Sequence, residues 1–335
     1  ELECAREAAR MLSLPTALEI ASFAHGQAVL VTFKIPKNNK LDGMKLWDMS
    51  KSIPAEIEQN VVICAVERGD EVHIPSGNFQ LQCGDEVSFV STRKIARKFL
   101  RSIGFKTRQV RSAMIIGGGR SSYYLAQELL GMGIEVKIIE KRRQRCEELC
   151  ELLPDANIIN GDGTSEDLLR EEGIEYAESV IALTGIDEEN ILLTLHARNV
   201  SNAKVITKIN RINFRNAINT LDLGSVLYPR YITSEAIVAY VRAKHNSMNS
   251  NVETLNYICE NRVEAVEFRV NEASAATGTM LKDLKPRMKK DILIASINRG
   301  GKILIPSGVD TIEVGDTVMV VTTHSGFNDI LDILA

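Results

Sequence analysis

Apolar and polar positions change rhythm along the chain. From Ala28 to Ile35 they alternate, as on a strand with one buried face. Val61–Arg68 and Glu71–Ile74 flank Gly69-Asp70, a hairpin turn signal. Gly84-Asp85 then turns into a strand at Glu86–Ser91, and Lys94–Ile103 carries helical spacing. Across Ser112–Lys244 the pattern differs. Short apolar runs at Ala113–Ile116, Glu135–Glu140, Asn157–Asn160, Ser179–Leu183 and Lys204–Ile209 predict strands. Between them Ser121–Gly131, Arg145–Leu153, Asp167–Glu171 and Asp187–Asn199 read as amphipathic helices. That alternation predicts an α/β, doubly wound parallel sheet covered on both faces. The first rhythm then returns in Val263–Val270, Ile292–Ile305, Asp316–Val321 and a closing helix near Phe327–Leu334.

The return is a duplication. Ile74-Pro75-Ser76-Gly77 recurs as Ile305-Pro306-Ser307-Gly308, and the same offset of 231 maps Arg68-Gly69 onto Arg299-Gly300 and Gly84-Asp85 onto Gly315-Asp316. Upstream the offset is 235, pairing Val31 with Val266, Phe33 with Phe268 and Gly43 with Gly278, so the first copy carries a four-residue insertion near Ser50–Glu58. Each copy reads as a small α+β module. Residues 1–22 resemble the last helix of an earlier unit of the parallel type. The expected organisation is 1–22 as that remnant, 23–108 as the first module, 109–245 as the parallel unit and 246–335 as the second module.

Composition narrows the class. The 335 residues carry a net charge of −4, which leaves no whole-chain basic footprint for nucleic acid. No apolar run approaches the roughly 18 residues of a membrane helix. The chain opens Glu1-Leu2-Glu3 without Met, so it is expected to begin inside a longer polypeptide. Cys4, Cys64, Cys83, Cys146, Cys150 and Cys259 form no C-x-x-C pair. Cys146 and Cys150 share a helix face but lack zinc-like companions, so buried or half-buried thiols in a reducing compartment are expected and no metal.

The candidate chemistry lies where the first parallel strand meets its helix, at Ile115-Ile116-Gly117-Gly118-Gly119-Arg120-Ser121-Ser122. Gly117 permits a tight turn, Gly119 lets the backbone approach a pyrophosphate, and the helix amides and dipole favour phosphate. Ser122 stands at the third position, where glycine is expected. Glu140 ends the second strand 23 residues after Gly117, where a carboxylate accepts from a ribose 2′-hydroxyl and repels a 2′-phosphate. That favours NAD(H) or an adenosine nucleotide over NADP(H). The adjoining Lys141-Arg142-Arg143 reads either as a solvated helix start or as a neutraliser of a 2′-phosphate. Beyond the third strand, Asn160-Gly161-Asp162-Gly163-Thr164 offers Asp162 to adenine or ribose. Thr184-Gly185 follows the fourth strand. For Asp162 and Thr184 the alternative is turn former or helix cap. Asp187 and Glu188 read as helix-start acids rather than cation ligands.

Gly117-Gly118-Gly119, Glu140, Gly161-Asp162, the run Ala182-Leu183-Thr184-Gly185-Ile186-Asp187-Glu188-Glu189-Asn190 and the paired Ile-Pro-Ser-Gly…Gly-Asp repeats resemble the TrkA family, the peripheral subunits of Trk-type bacterial potassium transporters. The resemblance covers essentially the whole chain. It implies a Rossmann-like KTN/RCK N-domain flanked by two RCK C-domains, in the family's order minus most of its first N-domain. It further implies binding of NAD(H), ATP or ADP, self-association into a dimer or tetramer, a cytoplasmic place on the inner face of the membrane, and docking on a potassium-translocating membrane subunit. By the same analogy Gly117, Gly119 and Glu140 take the phosphate and ribose roles, and Asp162 and Thr184 line the adenosine side and the crevice. Gly118, Arg120, Ser121, Ser122, Lys141 and Gly163 complete the candidate cofactor set. Where the family commonly has Gly-Asn-Ile-Gly, this chain has Gly-Arg-Ser-Ser, adding charge beside the phosphates and bulk at the third position.

Two other classes fit parts of the pattern. An NAD-dependent oxidoreductase would use the same sheet, but it needs a positioned acid or base. His25, His73, His196, His245 and His324 are scattered over separate elements. A non-binding assembly module would account for Ser122 but not for Glu140 and Gly119 together.

Overall fold

The computed structural model describes the chain except for residues 106, 212–220, 222, 235–236, 238–240, 242–250 and 260–261. The chain opens with helix α1 (Leu2–Ser13), whose Cys4, Ala5, Ala8, Ala9, Met11 and Leu12 form one buried face. The first module follows: strands β1 (Glu19–Phe23) and β2 (Ala28–Lys34), single-turn helices α2 (Met49–Ser52) and α3 (Ala55–Glu58), strands β3 (Val61–Arg68), β4 (Glu71–His73) and β5 (Glu86–Thr92), and helix α4 (Arg93–Ser102). The central stretch runs β6 (Ser112–Ile116), α5 (Arg120–Gly131), β7 (Glu135–Glu140), α6 (Arg143–Leu152), β8 (Asn157–Asn160), α7 (Glu166–Glu171), β9 (Ser179–Ala182), α8 (Asp187–Val200), β10 (Lys204–Lys208) and β11 (Ser225–Leu227). The second module holds β12 (Val252–Ile258), β13 (Val263–Arg269), α9 (Leu281–Leu284), β14 (Ile292–Arg299), β15 (Lys302–Leu304) and β16 (Thr317–Thr322).

These elements gather into two compact units, Glu1–Leu18 with Thr107–Ser234, and Glu19–Lys106 with Glu235–Ala335. The segment 1–22 therefore divides: α1 joins the parallel unit, and Glu19–Phe23 opens the first module's sheet. The expected boundary at 245/246 lies outside the described residues.

In the first unit a six-stranded sheet of order β11-β10-β9-β6-β7-β8 is parallel at every pairing. One face is closed by α1, α5 and α6 through Leu12, Leu125, Leu129 and Leu149 over Ile115, Ile138, Ile181 and Ile206. The other is closed by α7 and α8 through Leu169, Leu193 and Ala197 over Met114, Ile139, Val180 and Val205. Burial on both faces is why these strands read as apolar runs without alternation. Strand order reverses between β6 and β9, so the loops leaving those strands diverge and open a crevice.

In the second unit the modules share one topology, β1-β2-β5-β3-β4 and β12-β13-β16-β14-β15, with antiparallel pairings throughout. The duplication reaches small details. Both copies have a register shift in the third core strand, at Ile63/Ala65 and at Ile294/Ser296. Both place a non-glycine residue at positive φ before the second strand, Ala24 and Cys259. In each, a buried aspartate takes a two-pronged arginine. Arg68 Nε and Nη2 donate to Asp85 at 2.7 Å each, and Arg299 Nε and Nη2 donate to Asp316 at 2.9 and 2.8 Å. The same guanidinium also donates to the Gln80 carbonyl in one copy and the Thr311 carbonyl in the other. One apolar cluster joins the two sheets: Phe23, Leu30, Cys64 and Val90 pack with Ile258, Val263, Ala265, Ala295 and Met319.

Two expectations need correction. The second module closes on a single 3₁₀ turn, Ile330–Ile333, not a helix over Phe327–Leu334. Asp329 and Asp332 cap that turn reciprocally, and the chain then pairs with 287–289, where Ala335 N meets Arg287 O at 2.8 Å and Lys289 N meets Ile333 O at 2.9 Å. The thiols are not all buried either. Cys83 and Cys150 are exposed, the first before the Gly84 turn and the second on the outer side of α6, whereas Cys4, Cys64, Cys146 and Cys259 are buried. Among the described residues no helix is long and apolar enough to cross a membrane, and no group of three His, Cys, Asp or Glu stands together as a metal site.

Candidate nucleotide site

The three glycines between β6 and α5 are there for different reasons. Gly117 sits at φ +102°, and a Cβ there would press on the Leu183 carbonyl oxygen at 3.0 Å, so its position is closed by β9's exit. A Cβ on Gly118 would meet Leu149 Cδ1 at 2.8 Å and Glu140 Cβ and Oε2 at 2.9 Å, which ties the loop to β7 and α6. Gly119 has an ordinary φ of −68° and open space where a side chain would be. It caps a twelve-residue helix, and the amides of Gly119, Arg120, Ser121 and Ser122 meet no acceptor among the described residues. Four unmet donors at a helix N-terminus, with clear space beside them, have the chemistry that suits an anion.

Glu140 is 8% exposed at the end of β7. Its Oε2 accepts from the Gly118 amide at 2.8 Å, and its Oε1 accepts from the Arg142 amide at 2.8 Å and from Arg142 Nε at 3.1 Å. Burial alone would raise this carboxyl's pKa. The hydrogen bonds from the Arg142 and Gly118 amides and the Arg142 guanidinium outweigh burial and hold it below the ordinary glutamate value. Of the basic run after Glu140, Arg142 is thus engaged by the carboxylate itself. Lys141 reaches across to Asp162, Nζ to Oδ2 at 2.6 Å. Arg143 pairs with Glu147 along α6.

Asp162 Oδ1 accepts from the amide and hydroxyl of Thr164, at 3.0 and 2.8 Å. The hydrogen bond from Lys141, followed by those from Thr164, holds the Asp162 carboxyl far below its usual range. Gly163 is needed for packing, since a Cβ there would lie 2.4 Å from Ile116 Cγ2. The Thr184 hydroxyl bonds locally to Ile186, and its amide donates to Asn190 Oδ1 at 2.9 Å. Asp187 accepts from the amides of Asn210 and Arg211 and from Asn210 Nδ2, the anchoring role of a helix-start acid. Arg120 is exposed beside the open amides, and Ser121 and Ser122 are buried. The Ser122 hydroxyl, at the third fingerprint position, has no hydrogen-bond partner among the described residues.

The fold thus gathers Gly117–Ser122, Glu140, Lys141, Asp162, Gly163 and Thr184 at the carboxyl ends of β6, β7, β8 and β9. Three further residues shape this edge, of which sequence reasoning met only Asn190, as the last residue of the run from Ala182. Arg145 Nε donates to the Gly118 carbonyl at 2.8 Å. Asn190 is fully buried and staples the Thr184 turn to β10, its Nδ2 donating to the Lys208 carbonyl at 2.9 Å. Lys208 Nζ reaches back to the Leu183 carbonyl at 3.2 Å. No local motif marks Arg145 or Lys208, because each bonds to a partner on another element. Of the histidines, His73 and His324 belong to the other unit, and His245 lies outside the described residues. His196 sits nine residues into α8, about 13 Å along the axis from the crevice end, with Glu166 at 3.9 Å.

Residues 113–229 match the TrkA-N domain family, and residues 30–104 and 265–335 each match the TrkA-C domain family. A Trk system potassium uptake protein TrkA homolog from Archaeoglobus fulgidus is 31% identical over 320 residues, 96% of this chain and 69% of that protein. TrkA homolog 1 from Methanosarcina mazei is 29% identical over 331 residues, 98% of this chain and 71% of that protein. Among solved structures, the GsuK RCK domain superimposes with a TM-score of 0.53 at 17% identity, covering 95% of this chain and 66% of its own. A GsuK channel bound to NAD gives 0.52 at 17%, covering 94% of this chain and 54% of its own. Both likenesses are of fold. With a TrkA-N parallel unit set between two TrkA-C modules, and with that degree of identity to whole TrkA proteins, the chain belongs to the TrkA family.

Proposed function

We propose that this chain is a nucleotide-sensing regulatory subunit of a potassium-uptake system, binding NAD(H), or ATP or ADP, at the glycine loop. The observation that carries the reading is the row of four unmet amides at Gly119–Ser122, open above Gly119 and one residue from the Glu140 carboxylate's hold on Gly118. A diphosphate satisfies those donors, and Glu140 and Asp162 flank the path of the adenosine half. The names of the relatives, potassium uptake proteins and a channel bound to NAD, support the same reading.

On this reading the ligand does conformational work. Binding fixes the β6–α5 turn against β7 and β9, and the modules pass the change to a membrane-embedded potassium-translocating subunit on whose cytoplasmic face the self-associated chain docks. A ligand shifts such an equilibrium only by its difference in affinity for the two states, about 1.4 kcal/mol for a tenfold difference. Calorimetry of the purified protein against NAD⁺, NADH, ATP and ADP tests the proposal. Saturable binding without turnover of the nucleotide is expected, and flat titrations with all four would end it.

A further inference from the structure

Helix α4 carries its charge on one side and in one sign. Five of its ten residues are basic and none is acidic, in a chain whose net charge is −4. Ala96, Phe99 and Leu100 are buried, and the Phe99 ring packs edge-on against Phe89 and Phe33, with centroids 4.8 and 6.3 Å apart. Those two rings lie on the sheet face opposite Leu30 and Val90, which enter the cluster shared with the second module, so α4 covers the outer side of the two-module unit. Arg93, Lys94, Arg97 and Arg101 are exposed there, within about 100° of one another around the helix axis. Lys98 is held by Glu56 of α3, Nζ to Oε1 at 2.8 Å. Lys98, and more weakly Lys94, hold that carboxyl below the ordinary glutamate pKa. Arg93, Lys94 and Arg97 form no close ion pair among the described residues. Lys40 extends the charge at the far end, its Nζ donating to the Ser102 carbonyl at 3.0 Å. The fold does not call for this charge. Arg93 and Lys94 occupy the first turn, the positive end of the helix dipole, where a cation is unfavourable. The second module has the same sheet topology, yet at the offset of 231 the five basic positions become His324, Ser325, Asn328, Asp329 and Asp332.

We propose that the outer face of α4 is a docking surface for an anionic phospholipid bilayer, which it meets through Arg93, Lys94, Arg97 and Arg101. Clusters of about four to eight Lys and Arg on one amphipathic helix attract anionic headgroups. Side chains on one side of a straight helix about 15 Å long reach a flat surface together. The chemistry favours a bilayer over an acidic protein. A protein partner is gripped through large anchors set in well-packed pockets, and the exposed side of α4 offers no apolar side chain. Its apolar residues are all used inside the module, so the contact is electrostatic, at the level of the headgroups and without insertion. The surface goes beyond the proposed function, since neither a nucleotide nor a membrane subunit takes part in it.

The test is co-sedimentation of the full chain with vesicles of phosphatidylcholine alone, or of equal parts phosphatidylcholine and phosphatidylglycerol, with no nucleotide and no membrane protein present. The wild type should bind the anionic vesicles and not the neutral ones, and added salt should weaken the binding steeply. Arg93→Gln, Lys94→Gln and Arg97→Gln together should weaken it tenfold or more. Lys282→Gln, Lys285→Gln and Arg287→Gln together, at three exposed positions of the second module, remove the same charge and should change it less than twofold. Arg93→Lys with Arg97→Lys should bind like wild type, because the headgroups read charge and not a guanidinium fork. Equal loss in the two triple variants would make overall charge the cause and overturn the surface. So would undiminished binding by the α4 triple variant, failure of the wild type to bind anionic vesicles, or equal binding to neutral ones. A poly-glutamate peptide that binds the wild type more tightly than the anionic vesicles do would assign the face to an acidic protein segment and overturn the lipid assignment. Nucleotide calorimetry on the same protein keeps the two readings apart. Flat titrations beside intact vesicle binding remove the proposed function alone, and the reverse result removes the surface alone.

Discussion

At the residue scale, the glycine loop separates positions closed by packing, Gly117 and Gly118, from one that packing leaves open, Gly119. Gly119→Asp meets no atom within 4 Å of its Cβ. It should fold with a melting temperature close to wild type and lose nucleotide binding in calorimetry, since its carboxylate would occupy the phosphate's space. Gly118→Ala pushes a methyl against Leu149 and Glu140 and should lower unfolding stability by about 1–3 kcal/mol in denaturant titration. Glu140 adds a pH signature. Its folded pKa is depressed, so its contribution is present above the unfolded value of about 4.3 and is lost as pH falls through the folded value. The stability gap between wild type and Glu140→Gln should therefore hold from neutral pH to about pH 5 and shrink below it. A gap unchanged at pH 3 would show that the depressed carboxyl contributes nothing. Glu140 and Gly119 were legible as a pair because a turn glycine and a strand-end carboxylate keep their spacing in sequence. The bond from Gly118 to Glu140 was not, because it depends on how close β7 comes to the turn.

At the scale of elements, the two modules make one prediction twice. Asp85 and Asp316 are each 1% exposed and each held by a two-pronged arginine that also bonds a neighbouring carbonyl. Removing the arginine strands a carboxylate inside the module. Arg299→Ala should cost about 3 kcal/mol in chemical denaturation, and Arg299→Ala with Asp316→Ala should cost less than the single change. The repeat in sequence pointed to this pair, since Arg68-Gly69 and Gly84-Asp85 recur at one offset. Among the elements that escaped sequence reading were the strands β1, β11 and β12. In β1 only Ile20 and Phe23 are buried, too sparse for a clean alternation, and its place is set by antiparallel pairing with β2. The missing closing helix of the second module has a similar cause, for its apolar spacing fits a helix while Asp329 and Asp332 confine it to one turn.

At the scale of the whole molecule, each unit has its own core, and the second is built from two sheets closed on one another. Met319 is fully buried in the cluster shared by those sheets, beside Ala265 and Ala295. Met319→Glu would bury an unpaired carboxylate there. It should destabilise the module pair far more than the same change at exposed Met280, which a comparison of melting temperatures would check.

The sequence by itself determined the fold class, through periodicities that are a local consequence of helix and strand geometry, and the duplication, through motifs recurring at one offset. Only the tertiary structure decided that α1 closes the parallel unit's core, that Gly118 is held by Glu140 while Gly119 stays open, and that Lys208 of β10 reaches the Leu183 carbonyl beside the glycine turn. Those facts rest on distances between segments remote in sequence, and such distances exist only once the sheet order brings β6, β7, β9 and β10 side by side.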